Sequence, residues 1–252
     1  FREKMTRPMP PDVRPQKTVH AFLTTRWSLV MRAGAGECED ALAVLCRGYW
    51  YPLYAYFRRR GKPMEDPQDL TQGFFLHLLS SPVLARPDPE KGRFRSYLLG
   101  AMQNYLANDY RRQQAEKRGG GVQTLSIDGL EAERKFALEP ADDVTPETQF
   151  ERSWAVALLE QVFARLGEDY ARAGRAGLFE ALRPYLAGKA GQPGYDEVGA
   201  ALGMNANAVG VAIHRMRRRY GELLREEIAH TVGTPDEVEA ELAHLFKIFS
   251  GA

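Results

Sequence analysis

Gly92–Arg118, GRFRSYLLGAMQNYLANDYRRQQAEKR, decides the fold. It opens basic and aromatic with Arg93, Phe94, Arg95 and Tyr97, then becomes periodic. Leu98, Leu99, Met102, Tyr105, Leu106 and Tyr110 recur at three- and four-residue steps, which predicts a helix with one broad apolar face. Gln103, Asn104, Ala107, Asn108 and Arg111 fall on the opposite face. Amides and guanidinium groups can read base edges, and aromatic rings can stack on bases. The alternative is a surface helix with a solvated polar side. Gly119–Gly121 ends the pattern.

Working outward, the same helical period returns on both sides. Leu42, Leu45, Cys46, Tyr49, Leu53 and Phe57 predict a helix over 39–60, interrupted or kinked at Pro52. Asp66-Pro67 starts another, with Leu70, Phe74, Phe75, Leu78 and Leu79 on its apolar side, and Ser80-Ser81-Pro82 ends it. Thr145-Pro146-Glu147 is a further helix start, followed by Trp154, Leu158, Leu159, Val162, Phe163 and Leu166. No alternating β-branched run suggests a strand. The expected fold is all-α, with two helical domains.

Tyr195–Tyr220, YDEVGAALGMNANAVGVAIHRMRRRY, divides into a short helix over 196–202, a turn at Gly203 and a longer helix from about Asn205. The small residues Gly199, Ala200 and Ala201 permit close crossing, and the spacing is that of a helix-turn-helix. In that geometry Asn205, Asn207, Ala208 and Val211 would face base edges. His214, Arg215, Arg217 and Arg218 would flank phosphates. A plain helical hairpin with an arginine-rich solvated end is the alternative.

Composition bounds the remaining classes. The 252 residues are 44% hydrophobic and 27% charged, enough for one large or two small cores. The formal net charge of +1 gives no general polyanion signal, so local clusters matter more. Basic residues gather at 58–62, 111–118 and 215–219, and acidic ones at 131–143 and 236–241. Cys38 and Cys46 lack metal-site spacing and suit the core of a protein in a reducing cytoplasm. No apolar run approaches the roughly 18 residues of a membrane span, and the N-terminal stretch lacks a signal-peptide core. The histidines at 20, 77, 214, 230 and 244 are scattered, no HExxH occurs, and Gly119–Gly121 is not followed by Lys-Ser/Thr. Neither catalytic residue, cofactor, metal, small-molecule substrate nor membrane is expected.

The chain from Phe22 to Phe249 resembles an extracytoplasmic-function (ECF) sigma factor, a promoter-recognition subunit of bacterial RNA polymerase. Asp66-Pro67-Gln68-Asp69-Leu70-Thr71-Gln72-Gly73-Phe74-Phe75 is similar to the family's polymerase-docking helix. Asp88-Pro89-Glu90-Lys91-Gly92-Arg93-Phe94-Arg95-Ser96-Tyr97-Leu98, with Asn104, is similar to its promoter-melting stretch, and Tyr195–Tyr220 to its second DNA-binding domain. Thr24-Thr25-Arg26-Trp27-Ser28 and the tail over 225–248 resemble a subgroup with terminal extensions.

The resemblance implies a disordered basic extension over 1–20 and a region 2-like domain over 21–118. It implies a flexible acidic linker over 119–145 suited to a basic polymerase channel, a region 4-like domain over 146–232 and a C-terminal helical extension over 233–252. Asp69, Leu70, Gln72 and Phe75 would dock on core polymerase. Arg93, Phe94, Arg95, Tyr97, Gln103, Asn104, Asn108, Arg111 and Arg112 would serve the minus-ten element, with Phe94 and Tyr97 equally readable as core. The helix-turn-helix residues would serve the minus-thirty-five element. The implied partners are core polymerase, promoter DNA and an anti-sigma or other regulatory protein. At Gly210 the family commonly carries a basic residue, so a contact is missing there, and glycine costs about 1 kcal/mol of helix propensity relative to alanine. A free-standing helix-turn-helix regulator is the alternative function. The stripe Val238, Leu242, Leu245, Phe246 and Phe249 is expected to pack on this chain's own helices, with a separate regulator as the alternative.

Overall fold

The computed structural model describes residues 39–60, 66–80, 93–115, 127–138, 144–186, 191–232 and 234–250, with side chains at 48–60, 66–78, 93–109, 131–138 and throughout the later segments. The expectations for the N-terminal extension and for the family-like residues 24–28 lie outside these. Among the described residues all regular structure is helical: α1 Glu39–Arg60, α2 Pro67–Ser80, α3 Phe94–Ala115, α4 Ile127–Ala137, α5 Pro146–Arg172, α6 Ala176–Leu182 with a 3-10 turn at Arg183–Tyr185, α7 Tyr195–Leu202, α8 Ala206–Ala229 and α9 Pro235–Ser250.

Local chemistry explains the helix starts. Asp66 Oδ1 accepts the Gln68 N–H at 2.8 Å, and Pro67 occupies a first-turn position that needs no donor. Thr145 caps α5 by accepting the Thr148 N–H, again with proline at the first turn. Helix α1 continues through Pro52, so the proline does not end it.

Helix α5 organises the packing. At 27 residues it is about 40 Å long. It lies along α1 and also meets α8 and α9. Tyr56 of α1 meets Phe150 of α5 edge to face, and Arg60 pairs with Glu147 at 2.6 Å. Further along, Arg219 of α8 binds Asp169 of α5 at 2.9 Å, and Arg165 of α5 binds Glu226 and Glu227 of α8. One continuous group of buried side chains therefore includes Leu53 and Phe57, Phe74, Leu98, Trp154, Ile213 and Leu242. The two halves of the chain do not have separate cores among the described residues.

Part of the expected linker is structured. Helix α4 docks on α1, where Tyr54 Oη and Arg58 both donate to Glu133. The guanidinium groups of Arg58 and Arg59 lie over the Phe136 ring at 5.4 and 5.6 Å. Tyr54 has its pKa raised well above the usual phenol range, first by burial and then by the bond to Glu133. Glu133 is correspondingly lowered, first by the Tyr54 hydrogen bond.

Candidate nucleic-acid interface

The exposed face of α3 follows from its register. Because the helix begins at Phe94, residues 94, 98 and 102 form one face, which is buried. Gln103, Asn104, Ala107 and Asn108 are exposed on the other side. Gln103 reaches Glu147 at 3.4 Å. Arg111 and Arg112 belong to the same helix, but their side chains lie outside the described residues.

Phe94 and Arg95 correct the sequence reading for this conformation. Phe94 is core: its ring meets Tyr49 edge to face at 5.4 Å and stacks with Tyr97 at 6.2 Å. The half-buried Tyr97 hydroxyl is pushed up by burial. Arg95 is only 5% exposed. Its Nε donates to Glu241 Oε1 at 2.5 Å and its Nη1 to Glu151 at 2.6 Å, and the guanidinium lies over Trp154. Arg93 also pairs with Glu241, at 2.9 Å. Phe94 and Arg95 are thus unavailable to an unpaired base here. The helix begins early enough to turn both inward.

Helices α7 and α8 pack against each other across a tight turn. Gly203 adopts φ +65°, ψ 31°, a left-handed conformation that glycine takes without a steric penalty. The Met204 N–H returns to the Gly199 carbonyl at 2.8 Å. A Cβ on Gly199 would lie 2.4 Å from the Met204 carbonyl oxygen, so this position requires glycine. Asn205 is the N-cap of α8: its Oδ1 accepts the Ala208 N–H at 2.8 Å. That bond commits the oxygen expected to read a base. Asn207, Val211, His214, Arg215, Arg217 and Arg218 are exposed, and Ala208 is half-buried.

The arginines of α8 divide in use. Arg217 donates to the Tyr185 carbonyl at 2.8 Å and so fixes the turn after α6. Arg218 pairs with Glu222 in a largely exposed bridge, and Arg215 is exposed. Gly210 faces the Tyr195 ring, 3.6 Å from where a Cβ would sit, so this position lies beside an aromatic ring instead of on the outer face.

On α2, Asp69 and Gln72 are exposed as expected, but Leu70 and Phe75 are core. Phe75 stacks on Trp50 at 5.9 Å. The helical period puts 70, 74, 75 and 78 on the inner face, so Leu70 and Phe75 cannot also form an outer contact. Leu76, absent from the expected set, is 69% exposed beside Gln72. In the sequence it stands in the run Phe74-Phe75-Leu76-His77-Leu78-Leu79, where nothing sets it apart from its apolar neighbours.

Two Glu-x-x-His pairs occur in the sequence, Glu227 with His230 and Glu241 with His244. Glu227 is held by Arg165 and Glu241 by Arg93 and Arg95, and among the described residues no group of three or more His, Cys, Asp or Glu is placed to hold a metal. Among them, too, no helix is long and apolar enough to cross a membrane. No protein-family model, curated protein or solved structure matches the chain.

Proposed function

We propose that this chain is a non-enzymatic, cytoplasmic promoter-recognition subunit of the ECF sigma type. It binds bacterial core RNA polymerase, directs it to specific promoters and helps to open the DNA. Asp69, Gln72 and Leu76 on α2 dock on polymerase. Gln103, Asn104 and Asn108 on α3 contact the minus-ten element, with Arg111 and Arg112 on its phosphates. Asn207, Val211, His214, Arg215 and Arg218 on α8 contact the minus-thirty-five element.

The observation that carries the reading is the tight turn joining α7 to α8, closed by the Met204 N–H on the Gly199 carbonyl. It leaves the polar face near the start of α8 exposed, together with a second amide-rich face on α3. Amide side chains on an exposed helix suit base edges, and arginines further along suit phosphates. The second reading is a free-standing DNA-binding transcriptional regulator, for which a single continuous core suffices.

Co-elution with bacterial core polymerase, followed by abortive transcription from a promoter library, tests the choice. The promoter-subunit reading expects a stable complex and initiation from a defined promoter set. Leu76→Ser should then weaken polymerase binding about tenfold, while altering stability by no more than about 0.5 kcal/mol because the side chain is exposed. A chain that ignores polymerase yet footprints duplex DNA alone establishes the regulator instead.

A further inference from the structure

The most deeply buried carboxylate in the described chain joins its last helix to the helix proposed to handle melted DNA. Glu241 of α9 is 0% exposed. It accepts from Arg95 Nε at 2.5 Å, Arg95 Nη2 at 3.2 Å and Arg93 Nε at 2.9 Å. Glu151 of α5 holds the remaining side of Arg95. The backbone is tied at the same place, since the Phe94 N–H donates to the Thr231 carbonyl in the turn between α8 and α9. The first turn of α3 therefore obtains both its charge balance and one of its otherwise unpaired donors from the C-terminal corner.

We propose that α9 is an intramolecular latch that competes with nucleic acid for Arg93 and Arg95. The inference rests on the reading of α3 as the helix that holds melted DNA. A carboxylate and a phosphate oxygen accept from the same guanidinium donors in the same planar geometry. A guanidinium buried against Glu241 cannot also hold a phosphate, so latching and binding at this turn exclude each other. The equilibrium between closed and open forms then sets the apparent affinity for single strands.

The hold is divided between charge and apolar contact. Val238, Leu242 and Leu245 are buried, whereas Phe246 and Phe249, expected on the same packing stripe, are largely exposed. A few buried side chains, the Glu241 ion cluster, the largely exposed Arg225–Glu239 pair and a 3.4 Å contact from His244 Nε2 to Glu151 thus fasten α9. Neutralising Glu241 leaves Arg93 and Arg95 without their shared carboxylate, a strongly unfavourable burial that release into water relieves.

The test uses the full chain with Glu241→Gln. Glu239→Gln is the control, because Glu239 lies on the same helix in a largely exposed pair with Arg225. Hydrogen exchange at the first turn of α3 and along α9 reports opening. Fluorescence anisotropy with a short single-stranded DNA oligonucleotide reports binding. In E241Q, exchange at both places should accelerate by roughly tenfold or more, and oligonucleotide affinity should rise by about tenfold. E239Q should change neither.

If E241Q does not remain folded, Glu151→Gln replaces it, because that carboxylate holds the outer side of Arg95 and is partly exposed. Its expected changes are about threefold in the same directions. Unchanged exchange overturns the latch, as does faster exchange without tighter oligonucleotide binding. If opening tightens the oligonucleotide but no variant binds core polymerase, the latch stands and the polymerase reading fails.

Discussion

Two glycines in the α7–α8 pair should respond to alanine with opposite signs. At Gly199 a new Cβ would lie 2.4 Å from the Met204 carbonyl oxygen, 0.6 Å inside the 3.0 Å below which real Cβ contacts essentially never fall. The neighbour is backbone, fixed by the Met204 N–H to Gly199 carbonyl bond, so it cannot rotate away. Forcing the turn apart should cost about 2–3 kcal/mol, against which alanine recovers up to about 1 kcal/mol of helix propensity. The net loss is then about 1–3 kcal/mol, or roughly 2–12 °C in the thermal midpoint for a chain of this size. At Gly210 a Cβ meets only the Tyr195 ring at 3.6 Å, an ordinary contact. Gly210→Ala should therefore gain up to about 1 kcal/mol. Urea unfolding followed by circular dichroism measures both changes, with an unchanged slope confirming that only stability has moved. The turn geometry is refuted if Gly199→Ala is neutral or stabilising, or if Gly210→Ala is as harmful as Gly199→Ala.

Asn205→Ala should cost about 0.5–2 kcal/mol through loss of the cap, and Asn205→Asp should keep that stability. If thermal melts show N205A unchanged, the cap contributes nothing and Asn205 returns to the candidate base-reading set. Asp169 supplies a pH dependence. Its carboxyl is held below the usual range, first by the hydrogen bond from Arg219, opposed by burial, and then by the charges of Arg219, Arg172 and Arg165. A lowered folded-state pKa means the stabilisation is present above the unfolded value near 3.9 and is lost as pH falls through the folded one. Asp169→Asn should thus lower stability at neutral pH and flatten the acid limb of the urea midpoint below about pH 4. An acid limb identical to wild type would refute the assignment; Glu133, lowered chiefly by Tyr54, should preserve a residual slope.

Local chemistry was readable in the sequence, and long-range charge pairing was not. The starts at Asp66-Pro67 and Thr145-Pro146 depend on groups within three residues of the helix end, so the sequence contains the whole interaction. The turn at Gly203 is equally local. Arg95 is the opposite case. An arginine beside an aromatic residue at a helix start suggests exposure, and only Glu241, 146 residues away, together with Glu151, makes its burial tolerable. Helix α4 falls within the expected linker because Gly129 and five charged residues in eleven break up its apolar pattern. It is fastened by Glu133 to Tyr54 and Arg58 and by Phe136 beneath two guanidinium groups, contacts that no period in its own sequence encodes. Leu76 carries no sign of exposure in the sequence, because it stands within the apolar run Phe74-Phe75-Leu76-His77-Leu78-Leu79.

The position of α5 bears directly on how the proposed function could operate. Phe150 and Arg60 tie its beginning to α1, while Asp169 and Arg165 tie its later turns to α8. The candidate faces of α3 and α8 are consequently held in one geometry while this packing lasts. A subunit that serves two separated promoter elements must match their spacing on the duplex, so a fixed mismatch would have to be relieved either by bending DNA or by loosening the protein. Exposed pairs such as Arg60–Glu147 cost little to break, whereas the apolar face of α5 is costly to expose. The smaller α9 contact offers the less costly first step: releasing it frees Arg93 and the Glu241 side of Arg95 while leaving the α1–α5 packing in place. Polymerase or DNA need only supply the difference in affinity between the latched and unlatched forms.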